Sequence, residues 1–535
     1  MLRALFVLVA VVVSVLLLTN PTGDFPLNDD WAYGTAVRNL VEHGQFRLSN
    51  WTSMPFLPQL FWGALFTLPF GFSFTALRFS TLIASFLGLT LLLLLTRIPR
   101  TSPPSLLLTP RSLLVSLFPA LLLLANPVYL GLSHTFMTDV PFITLLLLSL
   151  YLLVSAVEKP SRVRLALGMC AAVTAGLHRQ TGLLIPIAFG LSWLTLHRFS
   201  VRRLTLTLGF LAVTVAALLG YLGWLRVAGR LPTAFSTQPT EVLKYLRAGL
   251  PAVAARASQN LLVFFTYLSI FALPFGLLFI RGATIRRLLL FFPLSFVLLA
   301  LTRLLRVRFP GNILSDRGLG PFTLSGTFSA FSGSVLSLVV LAALALLGGA
   351  LLIELIRAGI KQARFSLTAR LCITLTGLYL LAFSLVTPLD RYVLVCLPLL
   401  IIAAWAELHQ SPPSRPVLFS GLAVLAVYLT FSVAAVHDYL EWNRVRWQLL
   451  NRLTRDLSLP PERIDGGFEF NGLYTYDEDY SPAPGRSRWW VKADDYVVAF
   501  DPLPGFVVSE EHPVGTWLPA GVKRIYLLTR PGVQP

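Results

Sequence analysis

The stretch ALFVLVAVVVSVLLL, residues 4–18, and the stretch PLNDDWAYGTAVRNLVEHG, residues 26–44, decide how this chain reads. The first carries no charge. As a helix rising ~1.5 Å per residue, and with its neighbours added, it approaches the ~30 Å hydrocarbon layer of a bilayer. The second sets two adjacent carboxylates, Asp29 and Asp30, a few residues beyond that run, in a chain with 25 Asp and Glu against 43 Lys and Arg. Two explanations compete for the doublet: it solvates a loop, or it supplies a general base at the membrane surface.

The rest of the chain agrees with a membrane setting. Of its 535 residues 55% are hydrophobic and 13% charged, and the mean hydropathy is +0.72. A soluble protein of this length needs a more charged exterior. A second long run, GSVLSLVVLAALALLGGALLIELI (residues 333–356), also reaches spanning length. The chain therefore reads as a polytopic all-α membrane protein. Its net charge of +18 falls in short basic clusters between apolar runs. That is the pattern of orientation signals and not of a nucleic-acid-binding patch. Cys170, Cys372 and Cys396 lie within expected spans, so no disulfide framework is readable and they pack as small apolar residues. No small-x-small cleavage site follows the first run, which exits through Leu18, Thr19, Asn20 and Pro21, so it reads as a retained span.

Apolar length and flanking charge predict about thirteen transmembrane helices. They lie near 4–19, 76–96, 112–132, 141–157, 163–177, 181–197, 204–225, 259–280, 287–302, 331–356, 371–387, 392–406 and 417–436. The Phe-, Trp- and Pro-rich piece 52–72 reads as a surface helix, because that choice preserves the alternation of basic loops. With Arg3 inside, the cytoplasmic loops carry Arg97 and Arg100, Lys159 and Arg162, Arg202 and Arg203, Arg286 and Arg287, Arg357 and Lys361, and Arg415. The odd count then puts the C-terminal tail outside. Residues 1–436 form the membrane domain and 437–535 a small α+β periplasmic domain. In that domain HDYLEWNRVRWQLLNRLTRDL reads as an amphipathic helix with Leu440, Val445, Leu449, Leu450 and Leu453 on one face. GGFEFNGLYTY, YVVAFD and RIYLLT read as strands.

Chemistry is expected on the outer face. Asp139 opens the fourth span, where its charge also suits a helix N-terminus. Arginines accumulate on the same side against the local charge bias, including Arg306, Arg308 and Arg317. His134, His178, Arg179, Gln180 and Arg391 sit at span mouths. Arginine binds phosphate through a bidentate fork, so carboxylates with arginines at one membrane face point to a lipid-linked phosphate and a group that needs a base. His134 and His178 with Asp139 have the donor types for a divalent metal, although hydration alone explains such residues at span mouths. Whether a metal is needed is not readable, and no other cofactor is indicated. Trp31, Trp51 and Trp62 read as an interfacial aromatic belt rather than a sugar-stacking platform. Trp489–Trp490 is either tail core or an exposed contact.

The ordered motifs NDDWAYGTAVRNLVEHGQFRLSNW, MTDVPF, HRQTGLLIP and DRYVLVCLP, with GGFEFNG in the tail, together resemble the GT-C glycosyltransferases. The nearest branches are the bacterial protein-mannosyltransferase-like and lipid A aminoarabinose transferase-like ones. The resemblance implies a GT-C fold in the bacterial inner (plasma) membrane. It implies inverting transfer of a sugar from a polyprenyl-phosphate donor to a glycan, lipid or protein acceptor on the periplasmic side. That family often carries Asp-Glu in its first outer loop, where this chain has Asp29-Asp30. By position, Asp29 or Asp30 is the base, Asp139 orients the acceptor or a metal, and Arg179 and Arg391 contact the donor phosphate. A transporter or flippase of lipid-linked sugars is the main rival. It would favour ionisable or broken-helix features at mid-membrane, whereas here the polar groups gather at one face. A scaffold displaying the tail would not need several charged constellations.

Overall fold

Apolar side chains that cannot all be covered by a chain of this composition form long helices, and many of those helices keep apolar faces uncovered. Leu2, Phe6, Leu17, Val201, Val227 and Phe419 all point outward, as suits helices facing lipid. The computed structural model describes residues 2–97, 110–196, 200–280, 312–315, 317–320, 323–326, 335–410, 412–482 and 489–533. In chain order the helices are α1 (Leu2–Thr19), α2 (Asp30–His43), α3 (Leu57–Thr67), α4 (Phe74–Leu95), α5 (Pro110–Leu124), α6 (Pro127–Ser133), α7 (Asp139–Glu158) and α8 (Arg162–His178). They continue as α9 (Leu184–Leu196), α10 (Val201–Val227), α11 (Thr237–Arg247), α12 (Leu250–Gly276), α13 (Val335–Ala363), α14 (Leu367–Phe383), α15 (Cys396–Gln410), α16 (Arg415–Asn451) and α17 (Phe468–Thr475).

Among the described residues seven helices are long and apolar enough to cross a membrane, and a bent pair would make eight. Two shorter apolar helices, Gln180–Leu196 and Leu367–Phe383, accompany them. The chain is a multi-pass helical membrane protein. The full expected set of about thirteen spans is not reached by length and composition, and the segment expected at 287–302 lies outside the described residues. The span expected at 112–132 is broken. Its two halves meet at 68° because Asn126 caps α6, accepting from the N–H groups of Val128 and Tyr129 at 3.0 Å each. Pro127 follows at the first helical position and cannot extend the preceding helix. Helix α3 has 11 residues, about 16 Å of rise, too short to cross, as expected for 52–72.

The tail corrects one expectation. GGFEFNGLYTY is not a strand but contains α17, introduced by Gly467 at φ +88. Phe468, Glu469, Phe470 and Asn471 are all buried, so no alternation of exposed and buried positions exists to favour a strand. The other two expected strands form. A four-stranded sheet has the order β3-β4-β6-β5, from β3 (Ile464–Asp465), β4 (Tyr496–Ala499), β5 (Val507–Pro513) and β6 (Arg524–Thr529). The short hairpin β1 (Leu314–Ser315) and β2 (Gly318–Leu319) precedes it in the chain. Among the strand pairs of this four-stranded sheet β3–β4 is parallel and the others are antiparallel.

The last apolar run and the amphipathic stretch after it are one unbroken helix of 37 residues, α16. The expected boundary at 436/437 falls inside it. Leu440, Leu449, Leu450 and Leu453 are buried as their spacing predicts, while Val445 is only partly so. One continuous apolar cluster runs from α1 through α16 to the sheet, so the tail is packed onto the helices rather than hung from them.

Candidate active site

The loop after α1 is held by a cation drawn from inside an apolar helix. Arg78 of α4 is fully buried and donates to the carbonyls of Pro21 (2.7 Å), Gly23 (3.0 Å) and Phe25 (2.9 Å). That loop ends at Asn28, in the left-handed region at φ +55, followed by the acid doublet. Successive residues entering a helix point about 100° apart, and the two acids separate accordingly. Asp30 turns inward and takes the N–H of Phe136 (2.8 Å) and of Leu27 (3.3 Å). Asp29 turns toward Trp51, accepting from its indole N–H at 2.8 Å, and lies 3.8 Å from Arg391 Nη1.

Asp139, the first residue of α7, faces the same arginine. Its Oδ1 accepts from Arg179 Nη1 at 2.6 Å, and its Oδ2 lies 3.9 Å from Arg391 Nη1. Arg179 occupies the extended residue between α8 and the 3₁₀ turn Gln180–Leu183. Arg391 comes from the 3₁₀ turn Asp390–Val395 that leads into α15. Four separated stretches thus bring two carboxylates and two guanidinium groups together, none more than 15% exposed. Desolvation of this kind strengthens every charge interaction inside. The pairing is incomplete: Asp139 Oδ2, Arg391 Nε and Arg391 Nη1 are buried with no hydrogen-bond partner. A small cleft opens here, lined by Asp139, Arg179 and Arg391 on its polar side and by Phe142, Ile143, Phe383 and Val395 on its apolar side. Unsatisfied donors beside an unsatisfied acceptor suit a ligand offering both phosphate oxygens and a hydroxyl.

Burial pushes the Asp29 carboxyl above its ordinary 3.8, and Arg391 and the Trp51 hydrogen bond only partly restore it. Burial raises Asp30 further, against the opposing charge of Arg78.

The remaining expected residues fall elsewhere. Gln180 donates to the Ser53 carbonyl (3.3 Å) and ties its turn to the loop before α3. His134 and His178 are buried rather than hydrated. His134 engages Thr19 Oγ1 (2.9 Å) and the Leu130 carbonyl (2.8 Å), and His178 the Thr138 carbonyl (3.0 Å). Among the described residues no three His, Cys, Asp or Glu side chains gather as a metal site would require. Arg317 lies 3.6 Å from Asp501 of the tail, while Arg306 and Arg308 lie outside the described residues. Cys372 and Cys396 are buried as expected, but Cys170 is exposed on α8.

Trp31 and Trp51 are not a belt. Trp31 is buried, and both pack with Phe468, Tyr476 and Trp490 at ring-centroid distances of 5.2–6.1 Å. Trp490, with Phe468 and Tyr476, thereby packs the tail against the residues around Asp29. Trp62 donates its indole N–H to the Ser80 carbonyl (3.0 Å).

Sequence reading missed three groups. Arg78 left a signal, a lone cation at the start of an apolar span. Asp390 takes the N–H groups of Asn312, Ile313 and Leu314 (3.3, 2.9 and 2.8 Å) and ties that loop to the turn bearing Arg391. The buried pair Arg446–Glu469 (2.8 Å) joins α16 to the tail.

No family model and no curated protein matches the chain. Among solved structures it is similar to ArnT from Cupriavidus metallidurans bound to undecaprenyl phosphate, with TM-score 0.47 and 14% identity over 84% of this chain and 72% of that one. It is similar also to the same protein in the apo state, with TM-score 0.45 and 15% identity over the same shares. The likeness is one of overall architecture, and at such scores it says nothing of the chemistry here.

Proposed function

We propose that the chain is an inverting glycosyltransferase that moves a hexosyl or pentosyl group from a polyprenyl-phosphate donor to an acceptor hydroxyl at the periplasmic face of a bacterial inner membrane. One observation carries this reading: Asp29, Asp139, Arg179 and Arg391, from four separated stretches, share one desolvated cluster with unsatisfied donors and an unsatisfied acceptor. All four sit at helix ends or turns and none in the middle of an apolar helix. This supports a reaction at the bilayer surface over a transport path.

The chemistry follows from the charges. A sugar or other hydroxyl is a poor nucleophile, and Asp29, its carboxyl raised by burial, accepts the proton as the new C–O bond forms at the anomeric carbon. The bond to phosphate oxygen breaks on the opposite face, and the lipid phosphate leaves with a second negative charge. Across the step Asp29 loses one negative charge and the phosphate gains one. Arg391, adjacent to both carboxylates, stabilises the charge as it arrives, and no general acid is needed because phosphate is a weak base. Arg179 holds Asp139, which orients the acceptor. The donor's lipid tail keeps its phosphate at the membrane face. In this reading about thirteen spans leave residues 437–535 in the periplasm, where the tail braces the membrane domain, residues 1–436.

Mass spectrometry of lipid-linked sugars and envelope glycans, with and without the gene, tests the proposal. Its loss should let one polyprenyl-phosphate sugar accumulate while one glycan, lipid or protein decoration disappears. Unchanged pools of both would sink it.

A further inference from the structure

The residue before Asp29 is held by the tail. Asn28 donates its backbone N–H to Glu469 Oε1 at 3.0 Å, in the left-handed conformation that asparagine tolerates better than most side chains. The other oxygen, Glu469 Oε2, accepts from Arg446 Nη1 at 2.8 Å, and both side chains are wholly buried. Arg446 is fixed in turn, donating to the Gly466 carbonyl (2.9 Å) and to Asn443 Oδ1 (3.2 Å). The neighbouring backbone is equally tied, with Phe468 N–H on the Thr323 carbonyl at 2.7 Å.

A buried ion pair is weak evidence for stability, because an apolar pair of similar volume often does as well. What this pair adds is a direction. One carboxylate oxygen is committed to Arg446, and the other is left to grip a single N–H, the one that sets where the chain enters α2. We propose that Glu469 is a positioning residue of the transfer reaction: through Asn28 it sets the direction in which Asp29 leaves the backbone. The tail is then part of the catalytic centre. This rests on the reading of Asp29 as base.

Two double variants separate positioning from stability. R446M/E469Q and R446M/E469L both remove the ion pair without leaving a lone buried charge, but only Gln keeps an oxygen for the Asn28 N–H. Full-length protein is purified in detergent and assayed with undecaprenyl-phosphate sugar, with Asp29→Asn as the control. The Gln variant should stay within about threefold of wild-type kcat, and the Leu variant should lose roughly 10- to 100-fold in kcat at an unchanged donor KM, as a misplaced reacting group does. The Leu variant alone should shift the acid limb of the pH profile and speed hydrogen exchange in the peptide covering residues 26–33. Should the Leu variant not fold, Glu469→Asp keeps the charge but draws the carboxylate back from Asn28, and the same kcat loss is expected. Equal kcat in the Gln and Leu variants, or wild-type kcat in a folded Glu469→Asp, overturns the proposal while a dead Asp29→Asn leaves the base reading standing. An active Asp29→Asn removes that reading, and the proposal with it.

Discussion

Replacing Asp29 by Asn removes the proposed base while keeping its shape, and the structure lets the consequences be separated. The Trp51 indole can still donate to the amide oxygen in place of Oδ1 at 2.8 Å. The lost attraction to Arg391, 3.8 Å away, is about 4 kcal/mol gross at an effective dielectric of ~20. Much of it is offset by the solvation an ionised, buried carboxylate no longer forgoes. Arg391 also keeps Asp139 at 3.9 Å, so no guanidinium is stranded, and folding should change little. Turnover should fall roughly 100- to 10,000-fold, about 3–5 kcal/mol of barrier. Donor affinity should hold or rise, because a negative charge beside the incoming phosphate has gone. The assay is transfer by purified enzyme at saturating donor, with donor Kd from calorimetry and thermal melting in parallel. Asp30→Asn is the comparison: it loosens the grip on Phe136 and Leu27 and should lower the melting temperature more than the rate per folded molecule. Near-normal turnover in Asp29→Asn, or a loss of donor binding that accounts for its defect, would refute the reasoning.

Three further outcomes are expected. In Trp51→Phe the hydrogen bond that lowers the Asp29 carboxyl is lost; since the base works deprotonated, activity should disappear at a higher pH on acidification than in wild type, and an unmoved acid limb in the pH profile of kcat/KM counts against Asp29. Arg391→Lys keeps a charge but not the bidentate fork, so donor KM should rise about tenfold or more; unchanged donor kinetics would locate the phosphate elsewhere. In Gly472→Ala the new Cβ would come within 2.4 Å of the Trp31 ring, an overpacking that should cost about 1–3 kcal/mol in stability; a melting temperature equal to wild type would mean that the tail and the Asp29 loop are not packed together in solution.

The sequence by itself determined the helical membrane class, because apolar length and sparse charge leave a chain few other ways to satisfy its backbone. It also determined which residues were worth watching: Asp29, Asp139, Arg179 and Arg391 stand out as charges at the mouths of apolar runs. Periodicity carried the buried face of α16 through Leu440, Leu449 and Leu450, since that signal is local.

What depended on distant neighbours was decided only by the tertiary structure. Asp29 and Asp30 are chemically identical and adjacent, and only the positions of Trp51, Arg391 and Phe136 give one an indole N–H and a guanidinium and the other two backbone N–H groups. The two histidines looked like hydrated loop residues until packing buried them. GGFEFNGLYTY reads as a strand from its residues, and only the packing, which buries Phe468, Glu469, Phe470 and Asn471 in succession, makes it a helix. The grip of Glu469 on Asn28 spans 441 residues of chain, and no local pattern can encode a contact made only when both segments have folded.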